Sequence, residues 1–362
     1  MPAATTASAA EQLLAWYDRH RRDLPWRARP GQVADPYRVW VSEIMLQQTT
    51  VAAVGTYFDR FIRRWPNIRS LASAPLDDVL AQWAGLGYYA RARNLHRGAR
   101  FVADRFDGAM PRRADQLIEI PGIGPYTANA IAAIAFGECV AAIDTNAERV
   151  MARFLAFSQS LPRARAQLSA LVGGLVPAGR SGDFAQALMD LGSSICTPEN
   201  PQCSICPLSS RCEAHRQNLT GSLPRKERKT GRRVMRALAF VAIDHSGSIY
   251  LVRRPETGLF GGMMQPPLTA LRKTFSPARN ALSEAPFRGE WKLMRGVVRH
   301  TLTHIELEVR IYVARFSARP NGEGIWLSPH EFKTAALPTA MRKMLTHALA
   351  VDPALRKKRQ GA

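Results

Sequence analysis

The sequence predicts two regions of different class, a mostly α N-terminal region followed by an α+β C-terminal domain. Three observations predict it: apolar residues at three- and four-residue spacing as far as about Arg216, strand-like alternation after Val234, and a basic stretch containing Gly, Ser and Pro between them. The helical spacing is clearest in Val39 to Phe61, Asp77 to Trp83 and Asn129 to Phe136, separated by short Pro or Gly breaks. The helical domain is bounded at residues 11–216. Residues 217–233, with Arg225, Lys226, Arg228, Lys229, Arg232 and Arg233, read as a solvated basic linker. Residues 234–351 carry strand-like segments at Ala237 to Ile243, Ser248 to Val252, Trp291 to Arg299 and Glu306 to Phe316. Asp244-His245-Ser246-Gly247 is a hairpin signal between the first two. The Ala/Thr/Ser-rich residues 1–10 and the basic end at 352–362 are expected to be disordered tails.

Charge points to the partner. The 362 residues include 50 Lys and Arg against 29 Asp and Glu, a formal net charge of +21, far beyond what solubility requires. A polyanion is implied, and with no apolar run of membrane-spanning length and no lipidation signal, nucleic acid is favoured over a membrane. The N-terminus lacks a secretory pattern, so a cytoplasmic location is expected, nucleoid-associated in a bacterium, where thiols stay reduced.

Four of the five cysteines, Cys196, Cys203, Cys206 and Cys212, follow the spacing C-x6-C-x2-C-x5-C. Four-cysteine zinc sites usually come as two C-x2-C pairs, and only one pair exists here. An all-thiolate set this compact fits an iron-sulfur cluster. Cys139, in the apolar run Ala130 to Ile143, reads as a buried small hydrophobe. The spacing of the four resembles that of the endonuclease III superfamily of DNA glycosylases, which implies a 4Fe-4S cluster on a loop.

Ile120-Pro121-Gly122-Ile123-Gly124-Pro125-Tyr126-Thr127 joins two apolar-periodic stretches through a hairpin. Glycine permits positive φ and close backbone approach, so amides around Gly122 and Gly124 can face a DNA phosphate beside the next helix. With Asp144 following in Ala142-Ile143-Asp144-Thr145-Asn146, the segment is similar to the superfamily's helix-hairpin-helix and catalytic aspartate. The plainer reading of Asp144 is a helix cap. Val41-Ser42-Glu43-Ile44-Met45-Leu46-Gln47-Gln48-Thr49 resembles a signature of the MutY adenine DNA glycosylases, with Glu43 expected on a less apolar helix face. Glycosidic cleavage generally uses two carboxyl groups in different environments. The resemblance implies that Glu43 protonates N7 of a flipped adenine and then assists water, while Asp144 stabilises the sugar cation. Tyr126 stands where bifunctional relatives carry a Schiff-base lysine, which implies a monofunctional enzyme that leaves an abasic site.

Leu24-Pro25-Trp26-Arg27, Trp83-Ala84-Gly85-Leu86-Gly87-Tyr88-Tyr89 and Gly182-Asp183-Phe184-Ala185-Gln186 extend the resemblance. It implies that Gln48 and Tyr88 enter the base stack while Arg22, Trp26, Arg27 and Gln186 line or support the base pocket; core packing is the alternative for Trp26 and Tyr88. Residues 234–351 match a Nudix-like 8-oxoguanine reader in length and strand character. Gly258-Leu259-Phe260-Gly261-Gly262-Met263-Met264-Gln265-Pro266-Pro267 lacks the family's Trp, Glu and Phe, and no R-E-x-x-E-E magnesium motif is present, so nucleotide hydrolysis is not expected. In His300-Thr301-Leu302-Thr303-His304, Thr303 and His304 are implied to recognise the oxidised guanine, against the alternative of a solvated loop histidine. The implied partner is duplex DNA with 8-oxoguanine:adenine or guanine:adenine mispairs, bound by a monomer. Endonuclease III itself, a glycosylase/lyase, and a non-catalytic DNA-binding or iron-sulfur scaffold are the competing readings. Tyr126 and the C-terminal domain argue against the first, and Glu43 with Asp144 against the second.

Overall fold

Residues 1–74 with 94–228 form one unit of the chain and residues 75–93 with 229–362 another. The structure, a computed structural model, describes residues 3–161, 163–225, 231–302, 304–333 and 335–351. In chain order the first helices are α1 (Ala3–His20), α2 (Pro36–Leu46), α3 (Val51–Arg64), α4 (Ile68–Ala72), α5 (Leu76–Trp83) and α6 (Ala90–Phe106). Then come α7 (Ala114–Leu117), α8 (Pro125–Phe136), α9 (Thr145–Phe154), α10 (Arg165–Gly173), α11 (Ser181–Ser194) and α12 (Glu213–Arg216). α5 and the first turn of α6 belong to the second unit, the others to the first. Among the described residues no helix is long and apolar enough to cross a membrane.

Local chemistry sets the boundaries that position the site. α2 starts where the Asp35 carboxylate accepts from the Tyr37 amide at 2.9 Å, with Pro36 pre-set for the first turn. Its apolar spacing continues in the sequence to Phe61, but the chain breaks at residues 47–50 and restarts under the Thr50 cap of α3. α8 is alanine-rich and buried at Thr127, Ala128 and Ala130 to Ala133. Small residues let helices approach closely: a Cβ on Gly182 of α11 would lie 2.6 Å from the Ala133 carbonyl oxygen, and one on Gly192 would lie 2.7 Å from Asn146 Cβ. The core around α1, α9, α10 and α11 contains Leu13, Tyr17, Val150, Met151, Leu188 and Leu191, with Cys196 and Cys206 packed at its margin.

Two expected boundaries are corrected. Residues 1–10 are not all tail, because α1 begins at Ala3 and Ala9 and Ala10 are buried; alanine combines high helix propensity with a side chain small enough to pack. The supposed linker is also structured at both ends. Leu223 is buried, its carbonyl accepts from Arg153 Nε at 2.9 Å, and Arg233 opens a strand, while Lys226 to Lys229 and Thr230 lie outside the described residues, as does the tail 352–362.

The second unit carries β1 (Arg233–Ile243), β2 (Ile249–Arg253), β3 (Met264–Gln265), β4 (Lys292–Leu293), β5 (Val298–Thr301), β6 (Ile305–Arg315) and β7 (Ile325–Leu327). They form one sheet in the order β3-β2-β1-β6-β4, with β5 also on β6 and β7 on β2. β1 and β6 pair in parallel from Arg233↔Ile305 to Ile243↔Arg315. Both faces of this central pair are covered, which is why β1 reads as a nearly unbroken apolar run. Ala237, Val241, Val309 and Ile311 join Met341, Met344 and Leu345 of the C-terminal helix (Thr339–Val351), and Leu238, Phe240 and Tyr312 meet Trp291 on the other face. The hairpin after β1 forms as expected, with the Asp244 carboxylate accepting from the Ser246 and Ser248 amides, both at 2.8 Å. The segment Trp291 to Arg299, expected as one strand, is two, parted at Gly296 with φ +93°.

Candidate active site

α2 and α8 bring Glu43 and Tyr126 together in the first unit, the Tyr126 hydroxyl donating to Glu43 Oε2 at 2.7 Å. Glu43 does not sit on a solvated face. Ser42 and Glu43 are buried along with Val41, Ile44 and Met45, because α2 is enclosed on both sides. Burial pushes the Glu43 carboxyl up from 4.5 to about 7; the Tyr126 hydrogen bond opposes the rise, the charge of Asp144 adds to it and Arg27 opposes it. The same burial, with the two carboxyl groups, holds the Tyr126 phenol well above its ordinary range.

Asp144 is the N-cap of α9, and its carboxylate accepts from the Ala147 amide at 2.7 Å and from Asn146 Nδ2 at 3.0 Å. Capping and a place in the site are therefore compatible. Glu43, Tyr126, Asp144 and Gln48 line one cleft of about 570 Å³, which also takes in Gly124 and Arg165. A second cavity of about 50 Å³ is lined by Arg22, Trp26, Arg27 and Gln186, and Glu43 borders both. Trp26 serves core and wall alike: it is 8% exposed and its ring meets Phe58 edge-on at 5.5 Å.

Sequence reasoning missed the residues that hold these groups. Asp190 on α11, 2% exposed at its side chain, accepts from Arg22 Nε at 2.5 Å and from both Arg27 Nη atoms at 2.6 and 2.9 Å. An acid past the first turn of α11, between Met189 and Leu191, was the available signal. Asn146 Oδ1 accepts from Arg149 Nη2 at 2.9 Å, and Arg149 also donates to the carbonyls of Cys196 and Gly192, each at 2.7 Å. The partner of Asp144 is thereby tied to the first cysteine of the cysteine loop.

The two hairpin glycines differ. Gly122 has φ +87° and a Cβ there would lie 2.6 Å from Asn94 Cβ, so no other residue fits. Gly124 has φ −95° and nothing within 4 Å of an added Cβ, so of the two properties glycine permits it shows the open space and not the positive φ. Its missing side chain instead leaves the N-terminus of α8 open, where backbone N–H groups favour an anion.

Cys196, Cys203, Cys206 and Cys212 line a cavity of about 20 Å³ between short turns and α9. Arg153, buried, donates to Cys196 Sγ at 3.4 Å and to the carbonyls of Thr197, Pro198 and Leu223. Burial raises the Cys206 thiol to about 11 and pushes Cys203 and Cys212 up, so thiolates here call for a cationic group to compensate them. Among the described residues no three His, Cys, Asp or Glu are gathered as ligands of a single ion. Cys139 is exposed, contrary to expectation, because it follows the end of α8 at Gly137 instead of continuing its buried face.

In the second unit Tyr88 is 42% exposed with φ +49°, which removes core packing as its role. Gln48, in the first unit, shares the left-handed backbone at φ +56°. His304 is exposed in the turn between β5 and β6, and its carbonyl accepts from the Arg233 amide at 3.2 Å; Thr303 lies outside the described residues.

Residues 41–172 match the HhH-GPD superfamily of base excision DNA repair proteins, and residues 238–347 match the NUDIX domain family. A human protein named adenine DNA glycosylase is 37% identical over 395 residues, covering 92% of this chain and 72% of its own. A protein of the same name from Buchnera aphidicola subsp. Baizongia pistaciae is 31% identical over 357 residues, covering 94% and 97%. Among solved structures, a thermostable thymine-DNA glycosylase gives a TM-score of 0.53 at 29% identity over 59% of this chain and 97% of that one. Endonuclease III in a non-covalent DNA complex gives 0.51 at 21% identity over 60% and 99%, a likeness of fold.

Proposed function

The chain belongs to the adenine DNA glycosylase family, and we propose that it excises adenine paired with 8-oxoguanine or guanine, leaving an abasic site in duplex DNA. The observation that carries this reading is the buried Glu43–Tyr126 pair beside Asp144 in a cleft that shares Glu43 as a wall with a second, smaller cavity. A carboxyl group raised to about 7 keeps a proton to donate near neutral pH. Glu43 gives that proton to N7 of the flipped adenine as the bond from C1′ to N9 breaks. The electron pair leaves with the base, and the positive sugar stands against the Asp144 carboxylate. Glu43, now ionised, takes a proton from the water that adds to C1′. Tyr126 offers a phenol where an imine would need an amine, so the strand stays uncut.

Arg22, Trp26, Arg27 and Gln186 would surround the base, with Asp190 bracing the two arginines. The amides at Gly122 and Gly124 would take a phosphate, and Gln48 and Tyr88 would fill the stack from which adenine departs. Thr303 and His304 would read the 8-oxoguanine. The four cysteines would hold a 4Fe-4S cluster, which when bound cross-links residues 196–212 into one rigid loop. An all-sulfur donor set around an apolar cavity, with buried Arg153 to compensate charge, fits that group.

Single-turnover excision on duplexes pairing adenine with 8-oxoguanine, guanine or thymine tests the proposal. Adenine release in the first two, visible as strand breaks only after alkali, is expected. Borohydride trapping of a covalent adduct comparable to that of a lyase would overturn the monofunctional assignment.

A further inference from the structure

Tyr88 holds an exposed aromatic ring out on left-handed backbone, a conformation that side-chain-bearing residues keep only where their surroundings enforce it. An exposed ring of this kind suits stacking on a nucleobase. Residues 83–93 bond to themselves around it. Trp83 Nε1 donates to the Gly87 carbonyl at 3.2 Å, and Arg91 Nη2 donates to those of Leu86 and Gly87 at 3.2 and 3.3 Å. The Arg91 guanidinium carbon lies 5.3 Å from the centre of the Tyr88 ring and 5.6 Å from that of Trp83. The pose of the ring thus follows the pose of this short segment.

Residues 253–262 hold the C-terminal end of the segment and the start of α5, the helix that leads into it. Arg93, 8% exposed, donates through Nη1 to the Gly261 carbonyl and through Nη2 to that of Glu256 at 3.0 Å. Asp77, at the start of α5, takes both Nη atoms of Arg253 at 2.9 and 2.8 Å, and Arg253 Nη1 also reaches the Gly262 carbonyl at 2.9 Å. A buried guanidinium forked across two carbonyls of one turn admits one position of that turn. The same turn carries Phe260, whose ring centre is 6.4 Å from that of His300 on β5, the strand leading into residues 302–304. A contiguous set of packed side chains and hydrogen bonds therefore runs from that strand through Phe260 and Arg93 to the segment that presents Tyr88.

We propose that Arg93 is a positioning residue through which the C-terminal domain sets the pose of Tyr88, so that the base bound opposite adenine controls the excision rate. The proposal rests on the glycosylase reading above. Its test uses the full chain and two readouts, single-turnover excision on 8-oxoguanine:adenine and guanine:adenine duplexes and amide hydrogen exchange across residues 84–93. Arg93→Met leaves two carbonyls without their donor, and is expected to speed exchange in 84–93 and to shrink the ratio of the two excision rates by about tenfold. Asp77→Arg and Arg253→Asp should each shrink the ratio by a few fold, and their combination should restore it. These exposed substitutions also cover the case in which Arg93→Met fails to fold. Unchanged exchange, or equal slowing on both duplexes with no rescue in the double variant, would overturn the proposal. A wild-type chain that releases no adenine from either duplex would instead sink the glycosylase reading, and exchange in 84–93 would then still decide whether Arg93 fastens the segment.

Discussion

Removing the Tyr126 hydroxyl should move the alkaline limb of the excision rate upward in pH. Burial takes Glu43 from 4.5 to about 7, which corresponds to about 3 kcal/mol in favour of the neutral acid. About half of the molecules then hold the proton at pH 7, against about 0.3% for a solvated glutamic acid. If the protonated form does the work, the single-turnover rate falls as pH rises through about 7. The Tyr126 hydrogen bond at 2.7 Å favours the ionised form, and a bond to a charged group contributes about 1.5–3 kcal/mol. Tyr126→Phe should therefore shift the limb up by about one to two pH units, whatever it does to the plateau. The assay is quenched-flow excision from an 8-oxoguanine:adenine duplex between pH 5 and 9. A wild-type limb near 4.5 would refute the burial argument, and a limb that stays put or falls in Tyr126→Phe would show that another group controls the rate.

The same carboxyl makes stability depend on pH. Between 4.5 and about 7 the unfolded chain loses the Glu43 proton and the folded chain keeps it, so stability falls with rising pH by up to about 3 kcal/mol. Glu43→Gln should remove that loss, which chemical denaturation at pH 4.5 and pH 8 measures; equal differences from wild type at both would count against it. Asp144→Asn keeps a side-chain oxygen for the Ala147 amide, so the cap and the melting temperature should survive while excision drops about a thousandfold or more. Gly122→Ala should destabilise by at least about 2 kcal/mol, since it meets both a positive φ and Asn94, whereas Gly124→Ala should leave the fold intact and weaken duplex binding in a titration. Iron and sulfide analysis of anaerobically purified protein should give about four of each per chain, and Cys206→Ala should abolish them.

How far the sequence discloses this molecule depends on the range of each interaction. The cap at Asp144 and the hairpin at Asp244 are local chemistry, legible in a few consecutive residues, whereas the break between α2 and α3 is hidden by an apolar spacing that continues across it from Val39 to Phe61. The parallel pairing of β1 with β6 is not, because it joins segments far apart in the chain and leaves only the trace that β1 lacks polar alternation. The site divides the same way. Motifs indicate Glu43, Tyr126 and Asp144, but Asp190 acts on arginines far away in the chain and Arg149 ties Asn146 to carbonyls at Gly192 and Cys196, and no spacing announces these partners. Cys139 misled because its run of apolar neighbours crosses a helix end at Gly137. A glycine motif does not tell open space from positive φ: Gly124 has the first and Gly122 the second.

The pairing of Glu43 with Asp144 shows how one fold keeps two carboxyl groups apart in character. Glu43 comes from the middle of a helix, where backbone N–H groups are already committed, so burial meets little compensation beyond one phenol. Asp144 stands at a helix start, where uncommitted N–H groups point at its carboxylate and the helix dipole favours negative charge. The rise at Glu43 therefore comes from burial at its place on the backbone more than from neighbouring charge. It follows that exchanging surface charges around the cleft should change DNA affinity and its salt dependence while leaving the alkaline limb near 7, and only changes at Tyr126, at Asp144, at buried Arg27 or in the cover over Glu43 should move that limb.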